Sequence, residues 1–247
     1  MKLFAGCLCL SLAAVTQADT LTFDQPLTGW TVDRRAPGVF EINNSQFPGN
    51  NVLQLGVVGS QRELSSNFYN YQGMQHAFPL TGSPQSYSID QFVSPSDWGA
   101  DTINSGIWGV GYESPAVDPS AYPIVAYRQG GADAAGYYSF DYINGGWTFL
   151  TAANAGWNNL RLELTPGTGI QYFVNGVAVG ATADSATANL TNVILNSYNN
   201  GKDYNVFYDN LTTESGAAVA AVPLPGAAMA GLTLLGGCAI GRRRRRA

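Results

Sequence analysis

Residues 157–180 read WNNLRLELTPGTGIQYFVNGVAVG. Leu160, Leu162 and Leu164 alternate with Arg161 and Glu163, the period of a half-buried strand with one apolar face. Pro166-Gly167 then turns the chain, and Ile170, Tyr172 and Val174 alternate after it. Asn175-Gly176 supplies a two-residue hairpin, because both residues tolerate positive φ. Val177 and Val179 return. The stretch therefore predicts a three-strand antiparallel meander with both turns written into it.

Upstream, the same kind of short run recurs between turn residues: VFEIN (39–43), VLQLGVV (52–58), SYSIDQFV (86–93), GIWGVGY (106–112), PIVAYR (123–128) and YYSFDYI (137–143). Few windows carry a helical period. Short strands at this spacing predict an all-β fold, an antiparallel β-sandwich of jelly-roll type built as one domain over residues 19–212. Residues 213–221, TESGAAVAA, read as a linker.

The two ends read as addresses. Lys2, an apolar stretch Leu3–Val15 and small residues at Thr16 and Ala18 make residues 1–18 a secretory signal peptide with cleavage expected after Ala18. Cys7 and Cys9 lie inside the apolar stretch, not just after it, so a lipoprotein signal is not read here. At the other end, residues 222–247 contain Val222-Pro223-Leu224-Pro225, an uncharged run from Gly226 to Gly241, and Arg242, Arg243, Arg244, Arg245 and Arg246. The run is short against the ~20 apolar residues that cross a bilayer core. The arginines hold its end on the cytoplasmic side. The expectation is a marginal span that holds the chain at the inner membrane transiently during export.

Removing both ends takes away all three cysteines, so no disulfide is expected in the body. A body of this length buries enough core without one. It keeps six basic residues and all seventeen acidic ones, a formal charge of −11. That charge argues against nucleic acid and anionic lipid as partners. It suits neutral glycans and divalent cations.

The ordered trio of Val-Pro-Leu-Pro, apolar helix and arginine cluster resembles the PEP-CTERM sorting signals, in their VPLPA variant. The resemblance implies a Gram-negative host, processing by an exosortase-type enzyme, and a place at the cell surface or in the extracellular polysaccharide of a biofilm. The meander, together with NVFYDNLTT (205–213) as a closing strand and LTFDQPLTGWTV (21–32) as an opening one, resembles laminin G-like and concanavalin A-like jelly rolls. That scaffold hosts lectins, adhesion modules and glycanases alike.

Catalytic chemistry has little material. A glycosidase needs two carboxylates across the scissile bond. No E-x-D-x-E strand is present, and Glu41, Glu63, Glu113, Glu163 and Glu214 are scattered. His76 is the sole histidine, no G-x-S-x-G lies in the body, and no Cys/His cluster suits zinc. The body is read as non-catalytic. Binding has better material, because the C–H faces of sugars pack on aromatic rings. Trp98, Trp108, Tyr127, Asp141 and Trp147 are the candidate ligand residues. A structural calcium is expected near the chain ends, as that scaffold often carries one, with Asp24 and Asp209 as ligands. Polysaccharide is the expected partner. A structural or adhesion role with protein or self partners is the alternative, and a glycan hydrolase or lyase is the third reading.

Overall fold

The computed structural model describes residues 17–62, 67–113 and 119–216. The expected leader up to Thr16, and the sorting residues Val222 to Pro225 and Arg242 to Arg246, lie outside them.

The described residues form fifteen strands. They are β1 (Gln17–Leu21), β2 (Thr31–Arg34), β3 (Val39–Asn43), β4 (Val52–Val57), β5 (Tyr71–Ala77), β6 (Gln85–Val93), β7 (Ile103–Glu113) and β8 (Ile124–Gly130). Then come β9 (Asp133–Phe140), β10 (Trp147–Thr151), β11 (Gly156–Thr165), β12 (Gly169–Val174), β13 (Val177–Ala183), β14 (Thr187–Tyr198) and β15 (Tyr204–Ser215). One helical turn, α1 (Pro95–Trp98), joins β6 to β7. The strands make two sheets with every strand pair antiparallel. The first runs β13-β12-β11-β6-β15-β4-β3 with β1 also on β15, and the second runs β10-β9-β8-β7-β14-β5-β2.

The meander folds as its alternation requires. Leu160 pairs with Val174, Leu162 with Tyr172 and Leu164 with Ile170, and all six are buried. Asn175 and Gly176 turn the hairpin at φ 51° and 78°. On the solvent face Arg161 bonds Glu163 at 2.7 Å and lies over the Phe173 ring at 3.7 Å.

The two sheets close on one apolar core. Leu53, Ile89 and Leu160 enter it from the first sheet, and Ile107, Val125 and Leu195 from the second. A buried polar node ties the layers together. The hydroxyls of Tyr208 on β15 and Ser105 on β7 share a 2.6 Å hydrogen bond, and Gln91 on β6 donates to the Ser105 carbonyl at 3.0 Å.

Three expectations change. The opening segment 21–32 is not one strand: β1 ends at Leu21, Phe23 turns inward at φ 57° and is buried, and β2 joins the other sheet. The closing strand runs to Ser215, three residues into the expected linker, because Thr213, Glu214 and Ser215 pair with β1 and β6. β9 stops at Phe140, so YYSFDYI is not strand throughout. Its inward face carries Tyr137, and its outward face carries Tyr138 and Phe140.

Candidate functional site

On the second sheet, the face turned away from the core carries a separate aromatic cluster. Strand alternation builds it. Along β7, Ile103 and Ile107 point into the sandwich, while Asn104, Trp108 and Val110 point the other way. Along β8, Val125 and Tyr127 point inward, while Ile124, Ala126 and Arg128 point outward.

Antiparallel register arranges this outer face in rows. Trp147, Phe140, Ile124, Trp108 and Ile194 lie side by side across five strands. In the next row Tyr138, Ala126, Gly106, Asn196, Gly73 and Asp33 follow one another. Beyond it Gly136, Arg128 and Asn104 continue on one side, and Tyr198 sits beside Tyr71 on the other. The middle row is small where it must be. A Cβ on Gly106 would come 2.2 Å from the Val125 carbonyl oxygen, and one on Gly73 would come 2.4 Å from that of Leu195. Over this low row the rings of Tyr71 and Trp108 meet at 5.0 Å, and Tyr198 joins at 5.4 Å from Tyr71.

The result is a cleft of about 650 Å³. Its lining includes Tyr71, Trp108, Tyr122, Phe140, Trp147 and Tyr198, with Asn104, Arg128 and Asp133 as polar members. Two guanidinium groups lie on its rings. Arg34 sits 3.9 Å from the Phe68 ring and 4.5 Å from that of Trp108, and it pairs with Asp33. Arg128 lies 4.3 Å over Trp147. Both its Nε, at 3.0 Å, and its Nη2 donate to the single Asp133 oxygen Oδ2. Asn104 Nδ2 donates to the Tyr71 hydroxyl at 2.7 Å. Burial pushes the Tyr71 phenol well above its ordinary value, so it stays protonated. Burial also raises the Asp33 carboxyl, even with Arg34 beside it. Asn104 Oδ1 and Trp108 Nε1 are buried without a hydrogen-bond partner.

The candidate ligand residues divide. Trp108 and Trp147 line the cleft. Trp98 and Tyr127 do not: they are 4% and 1% exposed and pack against each other in the sandwich core at 5.4 Å. The Trp98 indole nitrogen is committed to the Asn205 carbonyl at 3.1 Å. Both are packing residues. Tyr127 has the opposite parity to Arg128 on one strand, and Trp98 is swung inward by the α1 turn. Asp141 opens the turn after β9, where its carboxylate accepts the backbone N–H groups of Ile143 and Asn144 at 2.9 and 3.0 Å. That is the ordinary work of an aspartate in a tight turn. It borders a separate depression with Asn144 and Thr182.

Asp24 and Asp209 do come into one neighbourhood, because β1 pairs with β15. Asp90 joins them: the carboxylates of Asp90 and Asp24 both raise the Asp209 pKa, after the larger effect of burial. Each is held by side-chain amides or hydroxyls. Asn51 and Thr22 bond Asp24, Asn50 bonds Asp209, and Asn159 and Asn210 bond Asp90. Among the described residues no three His, Cys, Asp or Glu side chains are grouped to hold a metal ion. His76 bonds the carbonyls of Thr28 and Ala77 and stacks on Phe78 at 4.1 Å, a packing role.

Reading the sequence missed Tyr71, Tyr122, Phe140 and Tyr198, and it missed Arg128 and Asp133. The signal for Arg128 was parity: a charged residue on a core strand marks the outward face, which brings Ile124 and Ala126 with it and sends Tyr127 inside. Nothing local marks Tyr71 and Tyr198, which reach the cleft from strands far apart in sequence.

No protein-family model matches the sequence, and no curated protein matches it. Solved structures match in shape. The GlcNAcα1-4Gal releasing endo-β-galactosidase from Clostridium perfringens is similar at a TM-score of 0.55 and 11% identity, over 81% of this chain and 62% of that one. The CBM2 module of the evolved Dit of Lactobacillus casei BL23 phage J-1 is similar at 0.54 and 9%, over 85% and 100%. Cellulose induced protein Cip1 is similar at 0.52 and 8%, over 79% and 96%. The fold is a concanavalin A-like jelly roll. At these identities the likeness is one of fold, and the jelly roll's function has to be argued from its own cleft.

Proposed function

We propose that this jelly roll is an exported, non-catalytic module that binds polysaccharide in the aromatic cleft of its second sheet. The observation that carries the reading is the cleft itself: rings from five strands and the segments between them gathered around about 650 Å³, on the face turned away from the core. Sugar rings present apolar C–H faces and a rim of hydroxyls. Trp147, Phe140 and Tyr122 suit the first, and the Arg128 guanidinium suits the second. The non-catalytic part is supported by the state of the carboxylates. Asp133 in the lining is bound to Arg128, and Asp33 beside it is bound to Arg34, so neither stands as a free carboxylate facing the cleft. The neighbours in shape include both a glycan-releasing enzyme and a CBM2 module, which fits a glycan-facing scaffold.

The test is affinity electrophoresis of the full chain through gels containing neutral and acidic glycans. Retardation by one glycan, reduced about tenfold in affinity by Trp147→Ala, is the expected result. A chain unmoved by every glycan in the panel overturns the reading. Release of reducing ends from the retarding glycan would replace binding with hydrolysis or elimination.

The address is part of the same proposal. Export through residues 1–18, followed by exosortase-type processing near Val222–Pro225, would deliver the module to the surface or the polysaccharide matrix. Replacing Arg242–Arg246 by serines should leave unprocessed chain in the inner membrane. Normal release of that variant would remove the sorting role.

A second reading, adhesion through protein or self contacts, has its own observation. On the outer face of the first sheet Phe47 packs on Phe92, Trp157 and Phe207 at 4.9–5.3 Å. Trp157 is 37% exposed. Self-association lost on Trp157→Ser, in sedimentation runs over a range of concentrations, would favour it.

A further inference from the structure

Arg128 in the cleft lining, and Arg34 on the rings beside it, stand out against the charge of the whole. The body between the two terminal signals carries six basic residues and seventeen acidic ones. Two of those six, Arg34 and Arg128, lie on the rings of this one face. Their influence converges: both guanidinium groups favour the ionised form of the Tyr71 hydroxyl, against the larger opposing effect of burial. Each is paired with an aspartate, Arg34 with Asp33 and Arg128 with Asp133, so what distinguishes this face is the donors the pairs leave over.

Neither guanidinium is used up by its aspartate. Arg128 gives Nε and Nη2 to one oxygen of Asp133, and its Nη1 takes no partner among the described residues. The Arg34 side chain is 7% exposed, and its Nε is buried with no hydrogen-bond partner. Buried unpaired donors are costly unless something binds them. Alongside them stand Trp108 Nε1, another donor, and Asn104 Oδ1, an acceptor, each buried and unpartnered. Of these groups, Arg128 Nη1 belongs to a residue of the cleft lining and is not among the fully buried atoms, so it is the donor that a ligand oxygen can reach. A stacked guanidinium is also held rigid, with its fork preset for a planar oxyanion.

We infer that the polysaccharide taken by this cleft is anionic, built from units that carry a carboxylate, with Arg128 as the carboxylate partner beside Trp147. The inference rests on the glycan-binding reading above and narrows it to uronate-type polymers. It also reverses what the net charge suggests, since −11 spread over the body favours neutral ligands and only the free donor of Arg128 favours a carboxylate.

The experiment uses the full chain with polygalacturonate, alginate and hyaluronate, and with the same three polymers after their carboxyl groups are reduced to primary alcohols. The expected result is that at least one carboxylated polymer binds about tenfold or more tightly than its reduced form, with the preference shrinking as salt rises. Arg128→Gln should bring the two forms to near-equal affinity, and Arg128→Lys should keep part of the preference. A native circular dichroism spectrum and an unchanged unfolding midpoint serve as the check that the Arg128→Gln variant is folded. Equal binding of both forms by the native chain overturns the inference. So does retardation by a neutral glycan of the wider panel with none by any uronate polymer, and in both cases the cleft remains a glycan site. No binding to anything in either panel overturns the glycan reading itself, and this inference with it.

Discussion

At the scale of single residues, two of the three tryptophans singled out for binding, Trp98 and Trp147, separate by burial. Trp98 is a core residue with its indole N–H satisfied by Asn205, and Trp147 is a half-buried cleft residue beneath Arg128. Trp98→Ala should lower unfolding free energy by about 3–5 kcal/mol in urea titrations, the usual cost of emptying a buried ring site. Trp147→Ala should cost far less stability and far more glycan affinity, so the pair separates packing from recognition in one comparison. Asp184 offers a pH test. Burial opposes its charge, but bonds from Thr187, Tyr142 and Ala186 prevail and hold its carboxyl below the ordinary 3.8. A depressed folded pKa stabilises above the unfolded value and is lost as pH falls through the folded one. Asp184→Asn, whose amide cannot take both kinds of donor, should therefore be less stable by ~1 kcal/mol near neutral pH. The gap should close as the pH is lowered below 3.8, once Asp184 is protonated in both states. A constant gap down the acid limb would remove Asp184 from that role.

At the scale of elements, the outward face depends on the small residues of the central strands. Gly106 on β7 and Gly73 on β5 leave no room for a side chain, since added Cβ atoms would meet backbone oxygens at 2.2 and 2.4 Å. Gly106→Ala should push β7 from β8 and cost about 1–3 kcal/mol, as overpacking usually does. It should also disturb the Tyr71–Trp108 contact that crosses this row, visible as a change in tryptophan fluorescence. An alanine variant with native stability and native fluorescence would show that the two strands separate freely here. The meander β11–β12–β13 needs no such help, because its alternation and its Asn175-Gly176 turn agree locally.

At the scale of the molecule, the chain's two described ends close the first sheet together. β15 pairs with β4 over Tyr204–Tyr208 and with β1 over Leu211–Ser215, after a bulge between Asp209 and Thr212 that includes Asn210 at φ 50°. β1 thus covers an edge that would otherwise stand open. A chain beginning at Thr22 should lose at least about 1 kcal/mol of stability through the loss of Leu21 and the exposure of Leu211, and it should scatter light at concentrations where the full chain stays clear. Equal stability and clarity would mean that β15 needs only its pairing with β6.

The sequence by itself determined what local periodicity and turn chemistry control. It determined the all-β class, the meander with its register, the inward leucines and the absence of a paired-carboxylate strand. It also held the parity that separates Arg128 from Tyr127, since neighbours on a strand face opposite ways whatever surrounds them. The tertiary structure alone decided which of the two faces is the core and which the cleft. An aromatic residue reads the same on either side of a sheet, and only the second sheet's position settles the matter. It alone brought Tyr71, Trp108, Arg128 and Tyr198 together from β5, β7, β8 and β14, because long-range strand pairing is set by the packing of whole sheets and leaves no mark on any one segment.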